Sequence, residues 1–197
     1  MTQAQSQKLT FEEYLNYRDD TDNRYELIDG ALVPLPPESG FNDFIARYLF
    51  ALFFVRGIVP LQLMSLGKCE LQVPVLRSND AQNRYPDFVV LREEHWQLTQ
   101  TRLTITIDMP PPRFVVEIVS PGKENEERDY ISKRAQYAAR GIPEYWIVNP
   151  ARSNVMVLQL DGKEYREVGT FSGTEQIISP TFPNLELRAE QVFAGNL

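Results

Sequence analysis

The chain has one cysteine and one histidine, and each scarcity removes a class of chemistry. Cys69 has no partner for an intramolecular disulfide, which points to a reducing compartment and makes the cytoplasm the expected location. With His95 alone, no multi-histidine zinc site can be built within one chain, and a catalytic triad would have to draw on that single imidazole. Long apolar runs are also missing. The longest, Tyr48-Leu-Phe-Ala-Leu-Phe-Phe-Val55, falls well short of the roughly 20 residues that span a bilayer, so no membrane partner is expected. Basic residues are outnumbered, 20 Lys and Arg against 27 Asp and Glu, for a net charge of −7. That balance speaks against loose adhesion to nucleic acid but leaves room for a nucleic-acid enzyme whose acidic site recruits a divalent metal.

Residues 1–197 are expected to form one domain, with 1–9 as a frayed polar terminus. Thr10-Phe-Glu-Glu13 has the form of a capping box and predicts a short helix over 11–18. Tyr25–Ile28, the Asp29-Gly30 turn and Ala31–Leu35 read as a hairpin, with Pro34, Pro36 and Pro37 confining the second strand to an edge. Apolar positions from Phe41 to Val55 follow helical spacing. Residues 59–76 suggest two strands turning at Gly67-Lys68, and 92–112 a polar, then proline-rich connection. A second helix is predicted over 125–140, closed by Gly141 with Pro143 beyond, then a strand over 144–148 and a hairpin at Asp161-Gly162. A short last helix is expected at 189–193. The fold class is mixed α/β: a sheet covered by two helices.

The segment Arg113-Phe-Val-Val-Glu117-Ile-Val-Ser120 sets a carboxylate inside an unbroken apolar run, the pattern of a strand covered on both faces. A buried carboxylate costs several kcal/mol unless paired or coordinated. Asp87 opens a similar run in Tyr85-Pro86-Asp87-Phe-Val-Val-Leu91. Two acids delivered by two core strands suggest a hard-cation site. The following helix carries Tyr130, Lys133 and Tyr137 on one face, so a lysine can reach over the acids. Mg²⁺ or Mn²⁺, two acids and a lysine suit phosphodiester hydrolysis. Blander readings stand beside these. Glu117 can be an ion-pair member with Arg113 or Arg134, Asp87 a turn residue after Pro86, and Lys133 a solvated lysine. Lys123, Arg128, Arg134 and Arg140 are phosphate contacts or surface charges. His95 reads as an exposed loop residue, and Cys69 as half-buried in a strand.

The sequence Tyr25-Glu26-Leu followed by Asp29-Gly30, then Pro86-Asp87, Val116-Glu117-Ile-Val-Ser120-Pro121, and Asp129…Lys133…Tyr137…Gly141-Ile-Pro-Glu-Tyr-Trp146-Ile-Val-Asn-Pro150 resembles the Uma-type family of putative restriction endonucleases, within the PD-(D/E)XK nuclease superfamily. The resemblance runs from about Phe11 to Phe193 and is most specific from Val115 to Pro150. It implies a restriction-endonuclease-like core, a central mixed sheet flanked by helices with additional hairpins. It implies a metal held by Asp87, Glu117 and the carbonyl of Ile118, with Lys133 and Glu26 completing the catalytic set. Val119 stands where the superfamily usually has lysine, and the family carries that lysine on the following helix, here Lys133. Asn149 replaces an aspartate common among relatives.

The expected activity is therefore Mg²⁺- or Mn²⁺-dependent endonucleolytic hydrolysis of DNA, by a homodimer because two symmetric copies most simply cut both strands. The rival is a nuclease fold that has lost catalysis and serves as a homodimeric binding or assembly module. A hydrolase built on Cys69 and His95 has little in the sequence to support it.

Overall fold

The apolar runs that follow or contain the two acids pair at the centre of a six-stranded sheet. The computed structural model describes residues 8–19, 21 and 23–195, and most of the predicted frayed terminus, 1–7, lies outside them. Leu9 is not loose, since its N–H donates to the carbonyl of Gly30. The capping box forms, and α1 covers Phe11–Asn16. Strands β1 (Tyr25–Ile28) and β2 (Ala31–Pro34) make the hairpin turning on Asp29-Gly30. Helix α2 (Gly40–Val55) starts at Ser39, whose hydroxyl accepts the Asn42 N–H.

Strands β3 (Met64–Leu66) and β4 (Glu70–Gln72) sit close together in sequence, but they join different sheets. This corrects the reading of 59–76 as one strand pair. Beyond them come β5 (Asn83–Arg84) and β6 (Phe88–Val90). The connection at 92–112 is not featureless: it holds α3 (Glu93–Leu98) and β7 (Thr104–Ile105). Strand β8 (Phe114–Ile118) leads into α4 (Lys123–Glu127), a π-helical stretch at Arg128–Lys133, and α5 (Arg134–Arg140). Gly141 closes that segment at φ +83°, the left-handed geometry that favours glycine. Strands β9 (Glu144–Asn149), β10 (Asn154–Asp161) and β11 (Glu164–Ser172) and helix α6 (Ala189–Ala194) complete the order.

The main sheet runs β11-β10-β9-β8-β6-β3, parallel only between β8 and β9. A smaller sheet, β5-β4-β7, stands beside it. Alternation gives the main sheet two different faces. Phe88, Phe114 and Trp146 form one; Phe88 and Phe114 pack against Phe53 of α2, and Trp146 meets Phe114 edge-on. Tyr145 lies on the other, where Tyr137 of α5 meets it edge-on at 5.1 Å between centroids. Glu117 shares that second face, so its carboxylate looks toward α5 and away from the aromatic core.

His95 corrects its expected exposure. It is fully buried, with Nδ1 accepting the Arg92 N–H and Nε2 2.8 Å from the Pro110 carbonyl, so it fastens α3 to the proline-rich loop. Cys69 is likewise fully buried, and burial pushes its thiol up and out of the reactive range. Neither is placed for nucleophilic chemistry.

Candidate active site

Asp87 sits where the chain leaves the small sheet and enters the large one. Pro86 before it lacks an N–H and holds Tyr85 extended, which ends the β5 pairing and starts β6. The register of β6 with β8 is antiparallel, Phe88 opposite Val116. Continued by one residue, it sets Asp87 opposite Glu117 on the same face, the relationship that brings cross-strand side chains closest. Pairing with β6 has ended at that point, and Asp87 Oδ2 takes the Ile118 N–H at 2.6 Å in place of a backbone acceptor.

Glu117 is 2% exposed. Its Oε2 accepts from Lys133 Nζ at 2.7 Å and its Oε1 from the Tyr137 hydroxyl at 2.5 Å. Neither arginine weighed as its partner pairs with it: Arg113 lies over Phe182 and Arg134 donates to the Tyr165 carbonyl. Lys133 also contacts Asp129 Oδ1 at 3.0 Å, and Arg128 reaches the same oxygen at 3.3 Å. The motif in the sequence contains Asp129 but gives it no role, although its i,i+4 spacing from Lys133 signals a partner. Its Oδ2 is buried and unbonded among the described residues.

The electrostatics follow from burial. Asp87 is held well above the ordinary carboxylate range by desolvation and by the charge of Glu117, against the pull of Lys133 and the Ile118 N–H. Desolvation also raises Glu117, opposed by Lys133. Burial alone would strip the proton from Lys133, yet Asp129 and Glu117 together hold its pKa above the usual lysine value. The Tyr137 phenol is raised, first by burial and then by the neighbouring Glu117. A fixed ammonium thus stands beside two acids that ionise only reluctantly.

Glu26 lines the same cleft, of about 320 Å³, with Asp87, Glu117, Lys133 and Ile118. Its carboxylate is engaged by Arg84 at 2.9 Å, and Arg84 Nε donates to Gln136 on α5. The Ile118 carbonyl accepts from the Asn42 amide at 3.2 Å. Among the described residues, no three His, Cys, Asp or Glu side chains form a ready-made metal cluster.

The donors nevertheless fit one hard divalent cation. All are oxygens, each carboxylate oxygen bonded by one donor keeps a second lone pair, and the raised carboxyls of Asp87 and Glu117 are those a cation would relieve. Of the remaining cationic candidates, Arg128 lines this cleft. Arg140 is spent on the carbonyls of Thr106 and Met109, and Lys123 lies in a separate surface hollow. No helix of the described residues is long and apolar enough to cross a membrane.

A family model described as Uma2, putative restriction endonuclease, matches residues 11–190. Among solved structures, a putative nuclease belonging to DUF820 from Anabaena variabilis ATCC 29413 is similar with a TM-score of 0.66 at 17% identity. The match covers 95% of this chain and 98% of that one. At that identity the likeness is one of fold. No protein of curated function matches the chain.

Proposed function

Because the chain belongs to the Uma2 family of putative restriction endonucleases, we propose that it is a metal-dependent endonuclease hydrolysing phosphodiester bonds in DNA. One observation carries this reading: Asp87 and Glu117 face one cleft from adjoining strands while Lys133 stands 2.7 Å from Glu117. Asp87, Glu117 and the carbonyl of Ile118 would hold Mg²⁺ or Mn²⁺. When bound, the ion supplies Lewis-acid activation of the phosphate and of the attacking water.

The rest falls to the chain's own groups. An ammonium has three protons, and Glu117 and Asp129 engage two of those on Lys133. The third orients the water or offsets charge developing on the phosphorane. Asp129 would keep Lys133 protonated were the charge of Glu117 shared with a cation. Tyr137 fixes the rotamer of Glu117 through Oε1. Glu26, already paired with Arg84, acts as an auxiliary acid that fixes the cleft wall.

The test is cleavage of a DNA panel by purified protein with Mg²⁺ or Mn²⁺ against a chelator, beside Glu117→Gln. Metal-dependent cutting that falls at least about 100-fold in the variant supports the proposal. Absence of cutting by the wild type, or equal cutting by Glu117→Gln, overturns it. The pairing of Glu117 with Lys133 also favours a second reading, a homodimeric assembly module that kept the ion pair and lost the chemistry. Calorimetric titration with Mn²⁺ separates the two, because such a module binds no metal at the acids.

A further inference from the structure

The cleft continues past the acids. It opens into a trough of about 700 Å³ and shares Arg24, Glu38, Tyr85 and Asp87 with it. Two exposed cations, Arg24 and Lys68, line the trough with no acid partner among the described residues. Arg24 is held in place: it donates to the carbonyl of Gly67 and lies 5.7 Å above the Tyr85 ring. Gly67, at φ +54°, makes the turn that permits this, since a Cβ there would meet the guanidinium at 3.3 Å. Tyr85 is anchored in turn through its hydroxyl, 3.1 Å from that of Tyr14. The result is a fixed planar platform next to Asp87, with Lys68 along the trough and Arg128 beside the acids.

Glu117 is the less accessible of the two acids. Glu117 is almost wholly buried, and Pro36, Pro37 and Pro121 line the cleft above it. A carboxylate so buried is reached more readily by one extended, flexible strand than by the fixed backbone of a duplex. Planar groups that accept any base face, with a few cations along the backbone path, are what unpaired strands bind.

We propose that this trough is a single-strand track: an unpaired DNA segment lies along Lys68, stacks a base on the Arg24–Tyr85 platform and delivers its next phosphate past Arg128 to the acids. The track rests on the phosphodiesterase reading of the acids, so its test reads binding separately from cutting. Fluorescence anisotropy with a labelled oligothymidylate and with a duplex of equal length, in chelator, measures affinity without turnover. Single strand should bind at least about tenfold more tightly than duplex. About two phosphate contacts, at Lys68 and Arg128, give a slope of log K against log salt of about −1.4.

Lys68→Glu changes only an exposed side chain. It should weaken single-strand binding about tenfold and make the slope shallower by about 0.7. Arg24→Ala should weaken it comparably, with folding of both variants checked by thermal melting. Equal affinity for duplex, or folded variants that bind oligothymidylate like wild type, would overturn the track. If Glu117→Gln binds oligothymidylate normally and the wild type cuts nothing with Mg²⁺, the hydrolysis reading fails while the track stands. Metal-dependent cutting of duplex without preference for single strand strikes the track alone.

Discussion

The ammonium of Lys133 lies 2.7 Å from Oε2 of Glu117, and both groups are almost wholly removed from solvent. An ion pair so placed is costly to break from one side, because the survivor remains buried without a counter-charge. Lys133→Met leaves Glu117 in that condition and leaves Asp129 with Arg128 alone. It should destabilise the protein by about 3–5 kcal/mol at neutral pH, and by less in acid, where Glu117, raised by burial, takes up a proton. Urea unfolding at pH 7.5 and pH 5 measures both. An equal loss at the two pH values would show that the lysine acts through packing and not charge.

Asp87 should pull stability the opposite way. Its carboxyl titrates well above its unfolded value because burial and Glu117 disfavour the charge. The folded state therefore holds more protons than the unfolded one from about pH 4 upward, and stability falls as pH rises through that window. Asp87→Asn keeps an acceptor for the Ile118 N–H and removes the charge. Without metal it should melt higher than wild type at pH 7.5, by a margin that shrinks toward pH 4. With saturating Mn²⁺ the order should reverse, since ligand binding stabilises only the protein that retains the site. A variant that melts lower than wild type in chelator contradicts this.

His95 gives a separate pH signature, remote from the acids. Burial lowers its pKa, and the geometry needs Nδ1 as an acceptor. The unfolded chain then binds the extra proton below about pH 6.5, so this contribution is present at higher pH and is lost as pH falls through that value. His95→Gln should flatten the stability profile between pH 7.5 and 5.5 while leaving cleavage at pH 7.5 unchanged. Denaturant midpoints across that range check the slope.

Much of this was legible in the sequence wherever one physical rule dominated. The Thr10 capping box, the Asp29-Gly30 and Asp161-Gly162 turns and the Gly141 stop each fixed an element boundary locally. The buried carboxylate of Glu117 stood out because charge inside an apolar run demands a partner. Less could be read where tertiary context decided. Whether β3 and β4 share a sheet depends on which neighbours accept them, and two strands of three residues carry too little pattern to say. His95 beside Trp96 looks like a surface pair until Pro110 presents a carbonyl from fifteen residues away. The π-helical stretch at Arg128–Lys133 leaves no mark on spacing that an α-helix would not share, although the i,i+4 pairing of Asp129 with Lys133 inside it can be read.

Crystals soaked in Mn²⁺ and measured at the manganese absorption edge bear most directly on the central arrangement. An anomalous peak bounded by the carboxylates of Asp87 and Glu117, with Lys133 still within reach of Asp129, is the expected result. A map with no peak there, Lys133 still bonded to Glu117 and full Mn²⁺-dependent cutting by the same preparation would contradict it.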